Sequence, residues 1–255
     1  MPIVGVAGND LFYTVSRRAG PAAVLIHGAG GSRLLWPAAL RRLSGHTVYA
    51  LDLPGHGRST GAARERIEGY AADLLGFLDA MRLHQAVLIG HSMGGAIAMA
   101  TALAAGERVT GLVLAGTAAR LRVAPAVLEG LAGDFESTAR LIAEWAWGSG
   151  ADPAIVARGS SEMRQAGPQV LLSDFRACDR FDVRDRVPEI AAPALVISGS
   201  DDRLVPARFG QWLAEQLPRA RFLLFEGAGH MVVMERPLET ARAIQQWSGS
   251  ERIPV

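Results

Sequence analysis

Short apolar runs alternate along the chain with longer segments whose apolar residues recur at helical spacing. Between residues 64 and 81 the apolar positions fall three and four apart, which predicts a helix with one buried face. The run at residues 87–89 predicts a buried strand, and residues 96–103 predict the buried helix after it. Similar patterns predict strands at residues 22–26, 47–51, 109–115, 194–198 and 221–225, and helices at residues 206–217 and 237–247. Repeated strand and helix units predict an α/β fold with a mostly parallel sheet.

The beginning of the chain predicts a hairpin followed by a capped helix. Residues 3–6 and 11–15 are short strand-like runs, and the turn-forming residues 8–10 between them are typical of a hairpin connection. Ser32 can cap a helix over residues 34–43, because a serine hydroxyl accepts a hydrogen bond from a free N–H of the first helical turn.

The alternation of strands and helices lapses after residue 116. Residues 117–190 show helical patterns and no convincing strand, and the alternation resumes at residue 194. We therefore expect a core formed by residues 1–116 and 191–255, with residues 117–190 inserted into it as an all-helical cap or lid.

Length and charge restrict the classes of partner. The 255 residues carry a formal net charge of +1 with no run of like charge, so neither nucleic acid nor an anionic membrane surface is expected as a partner. No apolar stretch reaches the roughly 18 residues of a membrane span, and no signal peptide is recognisable at the start. The single cysteine, Cys178, cannot form an internal disulfide. We expect a cytoplasmic protein that acts on a small molecule; its oligomeric state is left open.

Ser92 lies at the most informative position in the chain. It is the centre of a Gly-x-Ser-x-Gly motif, between the predicted strand at residues 87–89 and the predicted helix at residues 96–103. A strand, this motif and a helix in succession are typical of a nucleophile elbow, a strained turn that exposes a serine hydroxyl at a helix N-terminus. Gly90 and Gly94 are needed because side chains there would collide with neighbouring backbone.

A serine hydroxyl requires a base and an orienting acid, which must come from other loops. His230 is the predicted base, because it follows the strand at residues 221–225 in a glycine-rich loop. Asp202 follows the preceding strand and is the predicted acid. Asp201 is the alternative acid; if Asp202 is the acid, Asp201 is expected to stabilise the turn through hydrogen bonds to the backbone. The resulting order of serine, aspartate and histidine is that of the elbow fold.

The other histidines receive structural interpretations. His27 and His56 lie in loops at the same predicted sheet edge as Ser92 but in segments typical of structural turns. His91 is expected to pack in the core, since its side chain diverges from that of Ser92 on a sharp turn. His46 and His84 precede strands, at the opposite edge, and are expected at the surface.

Hydrolysis through an acyl-enzyme also needs N–H donors for the oxyanion of the tetrahedral intermediate. The N–H of Met93, directly after the serine, is one predicted donor. The second is expected from the glycine-rich segment at residues 27–31, where Ala29 is the first choice and Gly30 the second. That segment lacks the Lys-Ser/Thr pair of a phosphate-binding loop, so we expect neither a nucleotide cofactor nor a metal.

Five motifs together resemble the α/β-hydrolase superfamily. They are Gly-His-Ser-Met-Gly at 90–94, His-Gly-Ala-Gly-Gly at 27–31, Asp-Leu-Pro-Gly-His-Gly-Arg-Ser at 52–59, Gly-Ser-Asp-Asp-Arg-Leu-Val-Pro at 199–206 and Gly-Ala-Gly-His-Met at 227–231. The resemblance covers residues 1–116 and 191–247. It implies an eight-stranded, mostly parallel sheet flanked by helices, a helical lid after the sixth strand, and the triad Ser92, Asp202 and His230.

The predicted activity is hydrolysis of carboxylic esters with small to medium acyl groups. The resemblance also covers lactonases, perhydrolases and carbon-carbon bond hydrolases, which share the serine machinery, and small-molecule receptors that retain the fold. Apolar residues of the predicted cap either line an acyl pocket or form the cap's own core. The predicted substrate-binding residues are Trp36, Trp145, Trp147 and Leu141.

Overall fold

The structure, a computed structural model, describes residues 2–250. The strands are β1 (Ile3–Val6), β2 (Asn9–Ser16), β3 (Ala22–Ile26), β4 (Thr47–Leu51), β5 (Ala86–His91), β6 (Val109–Ala115), β7 (Ala194–Gly199) and β8 (Ala220–Phe225). The α-helices are α1 (Ala38–Arg41), α2 (Ile67–Ala80), α3 (Met93–Ala104), α4 (Pro125–Gly133), α5 (Phe135–Trp145), α6 (Pro153–Ala166), α7 (Pro168–Asp179), α8 (Ala207–Gln216), α9 (Val232–Glu235) and α10 (Pro237–Ser250). Short 3-10 helices occur at Arg33–Leu35, Gly106–Arg108 and Arg184–Glu189.

The strands form one eight-stranded sheet in the order β1-β2-β4-β3-β5-β6-β7-β8. β1 and β2 pair antiparallel, β2 pairs antiparallel with β4, and every later pairing is parallel. The predicted mostly parallel α/β sheet is confirmed. Since parallel strands run in one direction, the loops that follow β3, β5, β7 and β8 meet at a single edge.

The central strands are buried on both faces. Along β3, Val24 and Ile26 belong to one apolar cluster, whereas Ala23 and Leu25 belong to the cluster on the opposite face. Successive side chains of a strand point to opposite faces, so an uninterrupted apolar run is required where helices cover both sides. This explains why the strand sequences lack polar alternation.

Two local predictions differ from the structure. The hairpin turn consists of Ala7 and Gly8, whose φ angles are +48° and +81°, while Asn9 and Asp10 already belong to β2. The helix predicted at residues 34–43 is instead a 3-10 turn followed by the four-residue α1. Pro37 explains the break, because a proline disfavours helical backbone in the residue before it.

The four helices α4 to α7 and the 3-10 helix at Arg184–Glu189 lie between β6 and β7, and we call residues 117–190 the helical insertion. Leu131, Ala139, Ile142 and Leu171 form a small apolar cluster within it. Across residues 2–250, no helix is both long enough and apolar enough to span a bilayer.

Candidate active site

The loops that follow β3, β5, β7 and β8 border a cavity of about 900 Å³ at the carboxyl edge of the sheet. The loop after β3 contributes Gly28, Ala29 and Gly30, the loop after β5 contributes Ser92, and the loop after β8 contributes His230. The helical insertion supplies much of the remaining wall. The sheet topology thus brings together residues that are more than one hundred positions apart in the chain.

Ser92 occupies a strained turn between β5 and α3. Its φ of +53° and ψ of −118° lie in a region that residues with a side chain rarely adopt. A Cβ on Gly90 would lie 2.2 Å from the carbonyl oxygen of Gly94, and one on Gly94 would lie 2.0 Å from the carbonyl oxygen of Ile26. Only glycine fits at either position, so the flanking residues stabilise a turn that serine alone would disfavour.

His230 and Asp202 form a buried hydrogen-bonded pair. Nδ1 of His230 lies 2.9 Å from Oδ2 of Asp202, and because a carboxylate accepts, Nδ1 carries the donated proton. Oδ1 of Asp202 accepts from the N–H groups of Leu204 at 2.9 Å and Val205 at 2.8 Å, which fixes the carboxylate. In the described part of the chain, Nε2 of His230 makes no hydrogen bond. His230 lines the same cavity as Ser92, and this nitrogen of its ring has no partner there.

The neighbouring Asp201 has a different environment. Its carboxylate accepts from the hydroxyl of Ser200 at 2.9 Å, and its N–H donates to the carbonyl of Ala228 at 2.9 Å. These contacts stabilise the turn after β7 and join it to the loop that carries His230. The geometry therefore favours Asp202 over Asp201 as the partner of the imidazole.

His91 contacts the backbone of His230. Its Nε2 donates to the carbonyl oxygen of His230 at 2.9 Å. Burial, followed by the adjacent His230, lowers the pKa of His91 to about 3, so its ring is neutral at physiological pH. His91 also borders the cavity. It therefore acts as a neutral donor that holds the His230 loop in position.

The loop after β3, which we call the β3 loop (residues 27–32), approaches Ser92 closely. A Cβ on Gly28 would lie 3.1 Å from Cβ of Ser92. The carbonyl oxygen of Gly28 accepts from Nδ1 of His27 at 2.9 Å and from the N–H of Gly31 at 3.1 Å. The N–H of Leu53 donates to Nε2 of His27 at 3.1 Å, which leaves the His27 proton on Nδ1. Burial lowers the pKa of His27 to about 3, with a smaller contribution from the neighbouring His56, so the His27 ring remains a neutral donor.

The backbone N–H groups near Ser92 differ in whether they already have an acceptor. The N–H of Gly30 donates to Oδ2 of Asp174 at 2.8 Å, so the second-choice oxyanion donor is already occupied. Met93 is the first residue of α3, and N–H groups in the first helical turn lack an intrahelical acceptor.

The sequence between residues 23 and 243 matches the model of the alpha/beta hydrolase family. The chain belongs to that family. This α/β-hydrolase is 30% identical over 246 residues to the pimeloyl-[acyl-carrier protein] methyl ester esterase of Vibrio vulnificus (strain YJ016), covering 90% of this chain and 95% of that one. The enol-lactonase from Burkholderia xenovorans LB400 superimposes with a TM-score of 0.90 at 26% identity, covering 97% of this chain and 100% of that one. A thermophilic esterase superimposes with a TM-score of 0.87 at 29% identity, covering 98% and 97%.

The cavity wall of the α/β-hydrolase includes only part of the predicted set. Trp145 and Trp147 line it. Trp36 does not, because it is 1% exposed and packs in the apolar cluster on one face of the sheet. Leu141 does not either, because it lies on the outer face of α5 and is 40% exposed, whereas the next residue, Ile142, faces the cavity. The expectation for Trp36 and Leu141 is therefore corrected.

Several residues that line the cavity were not predicted from the sequence. Leu204, Val205, Phe209 and Trp212 line the cavity from the loop after β7 and from α8. Their only sequence signal is their position after a strand whose carboxyl end faces the site. Side-chain direction in a loop depends on backbone turns that periodicity does not encode.

The remaining histidines divide as expected with one exception. His56 is buried and bonded within the fold, and His84 is exposed. His46, predicted at the surface, is only 4% exposed, and its Nδ1 lies 3.2 Å from the carbonyl oxygen of Ser44. Within residues 2–250, no group of three or more histidine, cysteine, aspartate or glutamate side chains could hold a metal ion.

Proposed function

We propose that this α/β-hydrolase cleaves carboxylic esters of small to medium acyl groups through an acyl-enzyme intermediate on Ser92. The observation that carries the proposal is the Asp202–His230 hydrogen bond of 2.9 Å at a cavity into which a strained elbow presents Ser92. The family membership supports a hydrolase, and the local geometry supports this division of roles.

Each residue of the proposed triad has one task. Nε2 of His230 takes the proton of the Ser92 hydroxyl as its oxygen attacks the acyl carbon, and then returns that proton to the departing alcohol. Asp202 keeps Nδ1 protonated and stabilises the imidazolium that forms. Nε2 then deprotonates a water that attacks the acyl carbon of the acyl-enzyme. As the tetrahedral intermediate collapses, the bond to Ser92 breaks, the carboxylic acid leaves, and Nε2 returns the proton to the Ser92 oxygen.

The proposed oxyanion donors are the N–H groups of Ala29 and Met93. The carbonyl of Gly28 points toward His27 and Gly31, and in a trans peptide the following N–H points the opposite way. The N–H of Ala29 therefore points away from the anchored carbonyl. Loss of one such donor typically costs about 3 to 4 kcal/mol of transition-state stabilisation.

The cavity favours apolar acyl groups. Its wall contains Ile142, Trp145 and Trp147 from the helical insertion and Leu204 and Val205 from the core. A volume of about 900 Å³ is large enough for a drug-sized molecule. We expect higher kcat/KM for short and medium p-nitrophenyl esters than for long ones. A maximum at long-chain fatty esters would contradict this expectation.

The deciding experiment compares Ser92→Ala with Ser160→Ala on p-nitrophenyl butyrate. Both serines line the cavity, but only Ser92 is on the elbow. We expect Ser92→Ala to lower kcat by about 10⁶-fold, the loss typical of a removed nucleophile, and Ser160→Ala to stay within about twofold. Undiminished turnover by a correctly folded Ser92→Ala protein would refute the proposal.

A lactonase is the second candidate, because the enol-lactonase of Burkholderia xenovorans LB400 superimposes over 97% of this chain. A panel of matched linear esters and lactones, with product analysis, separates the two activities. The same panel with perhydrolysis and carbon-carbon cleavage substrates tests the remaining serine chemistries. A non-catalytic receptor would acylate once and show negligible steady-state turnover, so a burst without turnover would favour that function.

A further inference from the structure

Asp174 is a fully buried carboxylate outside the proposed triad. It lies on α7 of the helical insertion, and its side chain is 0% exposed. Its Oδ2 accepts from the N–H of Gly30 and from Nε2 of His56, both at 2.8 Å, and its Oδ1 accepts from the hydroxyl of Tyr70 at 2.5 Å. Three donors from three separate segments of the core therefore converge on one residue of the insertion.

The two hydrogen-bond partners of the His56 ring indicate that His56 and Asp174 form a charged pair. Nδ1 of His56 lies 3.0 Å from the carbonyl oxygen of Pro54, while Nε2 faces Asp174. Both ring nitrogens thus face acceptors, an arrangement satisfied by an imidazolium beside a carboxylate. Burial, the largest single influence, lowers the pKa of His56, but the charge and hydrogen bond of Asp174, the carbonyl of Pro54 and the charge of Asp52 together raise the pKa above its ordinary value. Buried charges are retained when they are paired in this way.

The contact with Gly30 bears directly on the oxyanion donor. The peptide unit before Ala29 is fixed by the two hydrogen bonds to the carbonyl of Gly28. The peptide unit after Ala29 carries the N–H of Gly30, which Asp174 holds. Gly30 has a φ of +61°, and a Cβ there would lie 2.5 Å from Leu171 of α7. Ala29 is therefore held between one peptide plane anchored by the core and another anchored by the insertion.

We propose that Asp174 is a positioning residue: by holding the N–H of Gly30 it fixes the peptide plane after Ala29 and so, together with the bonds to the Gly28 carbonyl, keeps the Ala29 N–H in place, so that the insertion completes the oxyanion hole. This inference rests on the proposed function. Asp174 does not line the cavity. It acts on the reaction only through the β3 loop.

Other contacts join the insertion to the same loop and supply a matched control. Oε2 of Glu162 on α6 accepts from the hydroxyl of Ser32 at 2.7 Å. This bond also links the insertion to the β3 loop, but it is only partly buried and involves no N–H next to Ala29. Glu162→Gln therefore tests whether any loosening of the insertion is sufficient to impair the reaction.

The experiment measures transition-state recognition separately from substrate binding. Parent, Asp174→Asn, Tyr70→Phe and Glu162→Gln proteins are compared for kcat and KM on p-nitrophenyl butyrate. Each protein is also titrated with two inhibitors. An alkyl trifluoromethyl ketone forms a tetrahedral adduct with a serine, whereas the matching methyl ketone binds largely without forming an adduct. Only the adduct places a negative oxygen in the oxyanion hole, so the ratio of the two inhibition constants reports on that hole.

We expect Asp174→Asn to lower kcat by about 10- to 100-fold with KM within about threefold, since the donor is misoriented rather than removed. The inhibition constant of the trifluoromethyl ketone should rise by the same factor, while that of the methyl ketone stays unchanged. Glu162→Gln should leave all four quantities within about twofold. Tyr70→Phe removes one of the three donors that hold the Asp174 carboxylate but keeps its contacts with Gly30 and His56. It should therefore lower kcat and raise the inhibition constant of the trifluoromethyl ketone by only about threefold.

A merely structural role gives a different outcome. If Asp174→Asn lowers thermal stability but leaves kcat and the ratio of the two inhibition constants unchanged, the inference is overturned. If Asp174→Asn does not fold, Tyr70→Phe decides, and an unchanged ratio there overturns it as well. Absence of a trifluoromethyl ketone adduct in the parent protein would instead refute the proposed role of Ser92, so the two failures are distinguishable.

Discussion

The protein contains two buried histidine–aspartate pairs whose hydrogen-bond distances are nearly the same, although one uses Nδ1 of the imidazole and the other Nε2. His230 and Asp202 are 2.9 Å apart, and His56 and Asp174 are 2.8 Å apart. Both histidines lie in glycine-containing loops at the carboxyl edge of the sheet. A short distance between an imidazole and a carboxylate therefore does not identify a catalytic base.

The second nitrogen of each ring distinguishes the pairs. In His56 it faces the carbonyl oxygen of Pro54, so neither nitrogen can accept a proton from a substrate or a nucleophile. In His230 it has no partner among residues 2–250, and the residue borders the same cavity as Ser92. A histidine with two acceptors fixes structure, whereas a histidine with one acceptor and one free nitrogen can move protons.

The sharpest test of this comparison replaces each histidine by glutamine. His230→Gln should lower kcat/KM for p-nitrophenyl butyrate by about 10⁶-fold, the loss typical of a removed general base. His56→Gln keeps an amide donor near Asp174 and should lose less than about tenfold. Steady-state kinetics with both folded variants provide the measurement. Similar losses in the two variants would show that the second nitrogen does not discriminate between the pairs.

The two aspartates of the loop after β7 give the next largest difference. Asp202→Asn should lower kcat by about 10⁴-fold, because an amide favours the wrong imidazole tautomer while preserving shape. Asp201→Asn should stay within about threefold, since Asp201 contacts Ser200 and not the imidazole. If Asp201→Asn proved the more damaging change, the assignment of the acid would have to be reversed.

Stability should respond to the two pairs in the opposite order. Asp174→Ala leaves a buried imidazolium without its counter-charge and should lower the free energy of unfolding by about 3–5 kcal/mol. Asp202→Ala should cost less, about 1–3 kcal/mol, because His230 borders the cavity and water can reach it. Urea denaturation of both variants measures these values. Equal losses would indicate that His56 is neutral.

The smallest expected effect is a dependence of stability on pH. Since the folded-state pKa of His56 is raised above its ordinary value of about 6.5, its protonation stabilises the fold fully below that pH. This contribution is lost as pH rises through the raised pKa. The difference in free energy of unfolding between the parent protein and His56→Gln should therefore shrink above neutrality. The groups facing His56 are Asp174, Asp52, Tyr70 and the neutral His27. A constant difference across the pH range would contradict the charged state of His56.

Much of the site was predictable because it depends on strand order. A parallel sheet brings the loops after successive strands to one edge, so Ser92, Asp202 and His230 could be grouped from their positions after apolar runs. Gly90 and Gly94 were interpretable for the same local reason, since an elbow excludes side chains at both positions. Covalent geometry and periodicity suffice for such predictions.

Other features could not be read from the sequence. The burial of Trp36 in the core cluster and the exposure of Leu141 depend on how the loop after β3 and α5 pack against the rest of the molecule. The short α1 follows from Pro37, although the helical spacing of the apolar residues predicted a longer helix.

By itself, the sequence determined the α/β architecture and the placement of Ser92, Asp202 and His230 after strands of one sheet, because both follow from local patterns along the chain. Only the tertiary structure decided which of the two aspartate-paired histidines has an unbonded second nitrogen, and that Asp174 of the insertion holds the backbone beside Ala29. Residues 30 and 174 are far apart in sequence, and no periodic pattern links them. Their contact exists because the insertion folds back onto the β3 loop, where a buried N–H requires an acceptor.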